Sequence, residues 1–151
     1  MKIVVDDLSG PEIATLLEEH LAEMRSITPL ESKHALDLDS LRAPGITFWT
    51  VWDDDQLVGC GAIKELDAEH AELKSMRTAR ARQGGGVGSA LLTHIVAQAQ
   101  SMGFTRMSLE TGSAEFFEPA RRLYRKFGFE LCEPFADYRL DPHSVFMTRT
   151  I

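Results

Sequence analysis

A chain of 151 residues is long enough for one domain with a hydrophobic core of its own. Its formal net charge of −7 argues against a nucleic-acid-binding protein, for which a basic face is expected. The apolar runs fall far short of the roughly 20 residues that a membrane span requires, and residues 1–5 lack the apolar region and cleavage site of a signal peptide. We therefore expect a single domain over residues 1–151, in the cytoplasm, with neither a nucleic-acid nor a membrane partner.

The first half of the chain predicts one strand, two helices and then three strands. Pro11 suits the first turn of a helix, and apolar residues recur after it at helical spacing. The aspartates at 53–55 separate two strand-like runs and predict a hairpin. The predicted elements are a strand at Lys2–Asp6, helices near Pro11–Arg25 and Glu31–Arg42, and strands at Ile46–Trp52, Gln56–Leu66 and His70–Thr78.

The second half alternates helix and strand, as a crossover to a parallel strand requires. Gly103 and Gly128 each follow a helical pattern and are typical of helix ends. The predicted elements are helices at Val87–Met102 and Phe117–Phe127 and strands at Arg106–Thr111, Phe129–Cys132 and Ser144–Thr150. The whole order is βααβββαβαββ, which indicates an α/β fold with a mixed sheet.

The loop before residue 87 has the properties of an anion-binding site. Glycines allow the backbone to come close to a ligand, and the helix that follows supplies unpaired N–H groups and the positive end of its dipole. Three arginines add positive charge nearby. The glycines are Gly84, Gly85, Gly86 and Gly88, and the arginines are Arg77, Arg80 and Arg82. A phosphate or pyrophosphate is therefore the expected ligand of this loop.

Two common nucleotide-binding motifs fit this loop poorly. It is not a Walker P-loop, because no Lys-Ser/Thr pair follows the glycines. A G-x-G-x-x-G dinucleotide motif starting at Gly84 would need a glycine at position 89, which is serine. Glu110 does lie about 20 residues further on, where a ribose-binding acid is expected. A dinucleotide-binding oxidoreductase is thus disfavoured, and NAD(H) binding would be needed to restore it.

Two segments instead resemble the GNAT superfamily, the GCN5-related N-acetyltransferases. Residues 83–88, Gln-Gly-Gly-Gly-Val-Gly, match the acyl-CoA-binding motif Q/R-x-x-G-x-G/A. Residues 120–129 are similar to the family segment A-x-x-L-Y-x-x-x-G-F. The resemblance implies the GNAT acyl-CoA N-acyltransferase fold, acetyl-CoA as the bound cofactor and CoA as its product.

The resemblance also implies which residues contact the cofactor. The backbone of Met76 and Thr78 would pair with pantetheine like an added strand and point an N–H at the thioester carbonyl. Many relatives carry an asparagine where this chain has Phe117, so that contact departs from the family pattern. The expected cofactor-binding residues are Met76, Arg77, Thr78, Arg82, Gln83, Gly84, Gly85, Gly86, Val87, Gly88, Ser89, Phe117, Ala120 and Tyr124.

Acetyl transfer needs a base for the amine and an acid for the departing thiolate. The resemblance places Tyr124 near the sulfur as the acid, although a core tyrosine on an amphipathic helix would look the same. It places Glu72 where some relatives carry the base, although pairing with Lys74 explains Glu72 equally well. Glu110 is the alternative base or an amine ligand, and it could equally cap its own strand end. Expected substrate contacts are His34, Glu110 and Tyr138, and the histidine spacings predict no metal.

These observations favour an acetyl-CoA-dependent N-acetyltransferase that transfers the acetyl group directly to a primary amine in a ternary complex. The acidic chain favours a cationic small molecule as the acceptor. A protein or peptide N-terminus, or a non-catalytic acyl-CoA-binding regulatory module, is the alternative. Cys60 and Cys132 lack a CxxC pattern and are expected to be free thiols in a reducing compartment. Many family members form homodimers, so the resemblance is compatible with a homodimer, and the sequence leaves the oligomeric state open.

Overall fold

The computed structural model describes residues 1–27 and 38–151. The predicted order βααβββαβαββ is confirmed, and two strand ranges match the prediction to the residue. The predicted start of the second helix lies outside the described residues. The elements are β1 (Lys2–Val5), α1 (Pro11–Ile27), α2 (Leu38–Leu41), β2 (Ile46–Asp53), β3 (Gln56–Glu65), β4 (His70–Thr78), α3 (Val87–Ser101), β5 (Arg106–Gly112), α4 (Glu118–Lys126), β6 (Glu130–Leu131) and β7 (Ser144–Thr150), with short 3-10 turns at Arg80–Arg82 and Glu115–Phe117.

The strands form one seven-stranded sheet in the order β1-β2-β3-β4-β5-β7-β6. Among the strands of the described residues, β4 and β5 form the one parallel pair, and the other neighbouring pairs are antiparallel. The β4–β5 ladder runs from the His70–Arg106 pair to the Leu73–Leu109 pair. Both strands continue well past this ladder, β4 to Thr78 and β5, still paired with β7, to residue 112. The sheet therefore opens into a gap between the carboxyl-terminal halves of β4 and β5.

A β-bulge in β4 accompanies this gap. On the β3 side the register shifts, because Cys60 pairs with Arg77 whereas Ala62 pairs with Lys74. Ser75 adopts the left-handed conformation, with φ of 55°, and its carbonyl accepts a hydrogen bond of 3.3 Å from the Cys60 thiol. A bulged strand bends and twists more strongly than a regular one, so the bulge directs β4 away from β5.

Each face of the sheet carries a separate hydrophobic cluster. On one face, α3 and α4 pack on the sheet through a cluster that includes Trp49, Leu73, Leu92, Ile95 and Leu109. On the other face, α1 and α2 pack through a smaller cluster, formed by Leu8, Ile13, Leu16, Leu17, Leu41, Phe48, Cys60 and Ala62. The described residues contain no helix both long enough and apolar enough to cross a membrane.

The bulge also changes which residues of β4 face each cluster. Ala71 and Leu73 belong to the α3 cluster. Met76 packs against the same cluster, although the distance from Leu73 to Met76 along the chain is an odd number of residues. Regular alternation along a strand would place Met76 on the opposite face. Arg77 consequently reaches the α1 side, where it bonds to Glu23.

Close packing between β3 and the start of α3 predicts an effect of Gly59→Ala. A Cβ at Gly59 would lie 2.8 Å from Val87 Cγ1 and 3.2 Å from the Arg77 carbonyl oxygen. Overpacking of this kind destabilises folded proteins by about 1–3 kcal/mol. We expect that loss in the free energy of unfolding, measured by urea denaturation.

Gly10→Ala is the matched control for Gly59→Ala. A Cβ at Gly10 would meet only the end of the Glu12 side chain, at 3.2 Å. Its effect should stay within about 0.5 kcal/mol. Equal effects of the two substitutions would contradict the packing argument, because both remove the same freedom from the unfolded chain.

Candidate active site

Two cavities occupy the gap between β4 and β5 and meet inside it. The larger has a volume of about 610 Å³ and extends to the glycine-rich loop. The smaller has a volume of about 130 Å³ and lies between α1, the strands and the loop before β7. The residues that line both cavities are His20, Met76, Phe117, Ala120 and Tyr124. This shared set marks the junction at which two bound molecules could meet.

The glycine-rich loop forms the outer wall of the larger cavity. Gly84 and Gly86 have φ values of 82° and 87°, a conformation that side-chain-bearing residues rarely adopt. A Cβ on either would meet no atom within 4 Å. These glycines are therefore required by the backbone conformation and not by a lack of space.

The first turn of α3 completes this wall. Gly86 is the residue before the helix, and no side chain in the described part of the chain caps the helix start. The first N–H groups of a helix have no partner within the helix itself, and here they border the cavity at Gly88 and Ser89. The arrangement suits an anionic group such as a phosphate.

Most of the predicted cofactor-binding residues line the larger cavity. They are Met76, Arg77, Thr78, Gln83, Gly84, Gly86, Gly88, Ser89, Phe117, Ala120 and Tyr124. Gly85, Arg82 and Val87 are not among the residues that line it. Val87 is buried in the α3 cluster, and Arg82 pairs with Asp53 at 2.8 Å.

The arginines contribute less positive charge to the loop than the sequence analysis expected. Arg77 is buried and bonds to Glu23 Oε1 at 2.8 Å, and Arg80 bonds to the same oxygen. With Arg82 paired to Asp53, each of the three guanidiniums has a carboxylate partner. An anion at the loop would therefore meet arginines that are already paired, together with the N–H groups at the start of α3.

The floor of the smaller cavity holds a charged cluster formed by Glu72, which is buried, and by Lys74 and Tyr138, which are partly exposed. Tyr138 donates a hydrogen bond of 2.6 Å to Glu72 Oε2, and Lys74 Nζ donates one of 3.0 Å to the same atom. Lys74 also lies 3.2 Å from the Tyr138 hydroxyl. Burial, followed by the neighbouring Glu72 charge, raises the pKa of Tyr138 far above 10.0. Tyr138 therefore keeps its proton and acts as a donor to Glu72.

Tyr124 lies at the junction of the cavities and is only 6% exposed. Its ring makes an edge contact with Phe129, with the centroids 5.9 Å apart. Burial, followed by the Glu110 charge, raises the pKa of Tyr124 above 10.0. The phenol therefore remains protonated at neutral pH. Glu110 lines the smaller cavity, from the end of β5 opposite Phe146 in the β5–β7 ladder.

Phe117 packs directly on Gly112 at the end of β5. A Cβ at Gly112 would lie 2.1 Å from the Phe117 ring, so only glycine leaves room for it. Arg121 holds this turn by donating to the carbonyl oxygens of Gly112 and Ala114. His34, a predicted substrate contact, lies outside the described residues.

A model of the Acetyltransferase (GNAT) family matches residues 13–129. The chain belongs to the GNAT family. The resemblance inferred from the two motifs is thereby confirmed.

Relatives of similar length support general acetyltransferase activity in this GNAT chain. It is 54% identical to YsnE of Bacillus subtilis (strain 168), an uncharacterised N-acetyltransferase, over 100% of both chains. It is 50% identical to YedL of Escherichia coli (strain K12), also an uncharacterised N-acetyltransferase, over 99% of this chain and 94% of YedL. The IAA acetyltransferase of Azospirillum brasilense is 36% identical over 92% of this chain and 90% of its own length.

Solved structures show the same fold. A Klebsiella pneumoniae protein named for the acyl-CoA N-acyltransferases has a TM-score of 0.81 and 25% identity, over 99% of this chain and 96% of that one. An aminoglycoside 6'-N-acetyltransferase complexed with coenzyme A has a TM-score of 0.72 and 16% identity, over 99% of this chain and 97% of that one. At that identity the second comparison shows the fold alone. The GNAT fold predicted from the sequence is therefore confirmed.

Three residues of the site have roles that the sequence analysis did not assign. The sequence pattern indicates Lys74 only as an ordinary partner for Glu72, whereas in the structure Lys74 lines the smaller cavity. His20 and Glu23 both lie on α1, and the residue pattern of this helix assigns neither of them a role. The spacing of Glu72 and Lys74 indicates that both side chains lie on one face of the strand, because residues two apart share a face. This spacing could have identified the cluster from the sequence.

The pair formed by Glu23 and Arg77 predicts a pH-dependent contribution to stability. Hydrogen bonding to Arg77 is the main cause that lowers the pKa of Glu23 from 4.5 to about 2. Because the folded-state pKa is lowered, the stabilisation is complete above pH 4.5 and is lost as the pH falls toward about 2. Glu23→Gln should lower the free energy of unfolding by about 2 kcal/mol at pH 7, and its difference from the wild type should shrink below pH 4.5. Urea denaturation across this range measures both effects.

Glu18→Gln is the matched control for Glu23→Gln, because Glu18 is an exposed residue of the same helix. Its effect should be small at every pH. A Glu23→Gln effect that stays constant as the pH falls would contradict the assigned linkage.

Proposed function

We propose that this GNAT protein is an acetyl-CoA-dependent N-acetyltransferase that transfers the acetyl group directly to a primary amine of a small molecule. The observation that carries the proposal is the meeting of the two cavities at Met76 and Tyr124. One cavity ends at an anion-binding loop, and the other is lined by two carboxylates, the buried Glu72 and the partly exposed Glu110. The two cavities therefore suit the two reactants of acetyl transfer. The whole chain acts as one domain in this proposal.

The larger cavity fits acetyl-CoA by its chemistry as well as its size. Backbone N–H groups of the loop and of the first turn of α3, at Gly84, Gly86, Gly88 and Ser89, would hold the pyrophosphate. The bulged end of β4, at Met76 and Thr78, would run beside pantetheine. Acetyl-CoA supplies the acetyl thioester, and CoA is the product. Solved GNAT structures with coenzyme A and with acetyl-CoA support this choice of cofactor.

Glu72 is the proposed base that takes a proton from the incoming ammonium group. Its side chain accepts hydrogen bonds from Tyr138 and Lys74, and both go to Oε2. Oε1 is therefore the oxygen that would accept the proton, directly or through a water molecule. The two donors hold the carboxylate in one orientation, which a base requires. Glu110 remains the alternative base or a ligand of the amine.

Tyr124 is the proposed acid. Its phenol is protonated at neutral pH, so it has a proton to give to the thiolate sulfur of CoA. Its place at the junction suits this role, because the sulfur must lie where the two reactants meet. The proton on Tyr124 would be replaced from the substrate or from water.

The smaller cavity favours a compact cationic acceptor. Its volume of about 130 Å³ suits a small molecule. Among the described residues that line it are two glutamates, Glu72 and Glu110, and one lysine, Lys74. Apolar side chains of α1, namely Leu17, Leu21 and Met24, form the opposite wall. An amine with a short apolar body satisfies both the charge and the wall.

A cytoplasmic location belongs to the same proposal. Cys60 and Cys132 are free thiols, and burial raises the pKa of the Cys60 thiol to about 12. Free thiols are typical of a reducing compartment.

The proposed cofactor predicts selective thermal stabilisation. At about 100 times its Kd, a ligand adds about 2.7 kcal/mol, or about 5–10 °C in Tm for a domain of this size. We expect that shift with acetyl-CoA and with CoA, and none with NADH or ATP, in parallel thermal melts. A larger shift with NADH would overturn the assignment of the loop. Strong CoA binding without thiol release from any amine of a broad panel would favour the non-catalytic acyl-CoA-binding module.

A comparison of Glu72→Gln with Glu110→Gln identifies the base. Each substitution removes one carboxylate charge with little change in shape, so each is the other's control. Glu72→Gln should lower kcat about 100-fold. Glu110→Gln should act mainly by raising KM for the amine. The reverse pattern would transfer the base role to Glu110, and two fully active variants would contradict both roles.

A further inference from the structure

His20 is a polar residue at the junction of the two cavities that the proposed mechanism does not use. It projects from α1 and lines both cavities, as Met76 and Tyr124 do. The proposed transfer takes place between the ends of two reactants, one in each cavity. His20 therefore lies beside the place where the acyl carbon must sit.

The two ring nitrogens of His20 have different surroundings. Nδ1 is buried and has no hydrogen-bond partner among the described residues. Because the ring lines both cavities while Nδ1 is sealed from them, the edge that carries Nε2 is the polar part that faces them. A buried N–H without a partner is rarer in proteins than an unsatisfied acceptor. The proton of the neutral ring therefore belongs on Nε2, which makes Nε2–H a donor into the junction.

The charge state of the ring is consistent with a donor and argues against a base. Burial, followed by the positive charge of Arg77, lowers the pKa of His20 to about 4, against a smaller opposing effect of Glu23. The ring is therefore neutral at pH 7. A group with so low a pKa is a poor base for an ammonium proton, but it can still donate a hydrogen bond.

We propose that His20 is a catalytic residue whose Nε2–H donates a hydrogen bond to the acyl carbonyl oxygen and stabilises the negative charge that gathers there during transfer. The proposal rests on the proposed acetyl transfer. It adds a side-chain donor from α1 to the backbone donor expected from β4. Preorganised donors aimed at developing charge are among the strongest contributions to enzyme catalysis.

The proton on Nε2 stays on His20 throughout the reaction. The amine nitrogen forms a bond to the acyl carbon, and the carbon–sulfur bond breaks. The nitrogen gives up two protons: Glu72 accepts one, and the other replaces the proton that Tyr124 donates to the sulfur. The electron pair that shifts onto the carbonyl oxygen returns to carbon as the sulfur leaves. His20 acts only while that oxygen carries the extra charge.

A pair of amide substitutions tests the position of the donor. The side-chain nitrogen of glutamine reaches approximately as far as histidine Nε2, whereas that of asparagine reaches only as far as Nδ1. His20→Asn should lower kcat about 100-fold with little change in KM for acetyl-CoA, and His20→Gln should recover at least a tenth of the wild-type kcat. Thermal melts show whether both variants fold. Equal losses in two folded variants, or no loss in His20→Asn, would overturn the proposal.

The carbonyl resonance of bound acetyl-CoA gives a test that needs no acceptor amine. A hydrogen bond to a carbonyl oxygen draws electrons from carbon, so the 13C resonance of [1-13C]acetyl-CoA should move downfield on binding. We expect a downfield shift with the wild type and His20→Gln and a smaller one with His20→Asn. Equal shifts in all three proteins would overturn the proposed role of His20 and leave the proposed acetyl transfer unaffected. Failure of the wild type to bind acetyl-CoA would overturn the proposed function as well.

Discussion

The bulge at Ser75 is the local feature on which the site depends. At this bulge the alternation of side chains between the two faces of β4 is interrupted. Lys74 and Arg77 can therefore both lie on the α1 side, while Met76 packs on the α3 side. It also lies just beyond the last residue of β4 that pairs with β5. The gap that holds both cavities therefore begins where the strand bends. The thiol of Cys60 bonds to the carbonyl of Ser75 and so supports the bulge from the neighbouring strand.

Charged hydrogen bonds attach both walls of the smaller cavity to β4. Glu23 joins α1 to Arg77, and Tyr138 joins the loop before β7 to Glu72. Removing charges from water is costly, so pairs of this kind often contribute little net stability compared with apolar contacts of similar size. Their effect is on position, because a buried ion that loses its partner is strongly disfavoured. The result is a cavity whose polar groups are held in place before any ligand binds.

The local parts of the site were predictable because they depend on neighbours in sequence. The glycines at 84–88 need no distant contact to adopt their backbone shapes or to expose the start of α3. The range His70–Thr78 was likewise evident from its residue pattern. The free charge expected from Arg77 and Arg82 was not found, since each guanidinium pairs with a carboxylate from another element. Pairing between elements leaves no mark in the spacing of either one.

The sequence by itself determined the order of the elements, the anion-binding loop and the resemblance to GNAT proteins. Short-range backbone preferences and hydrophobic periodicity are sufficient for these features. Only the tertiary structure decided which side chains meet. Arg77 and Glu23 are 54 residues apart, and Tyr138 and Glu72 are 66 residues apart. Contacts over such separations depend on strand register, and a single bulged residue shifts that register, so the group of side chains around His20 became visible only in the folded chain.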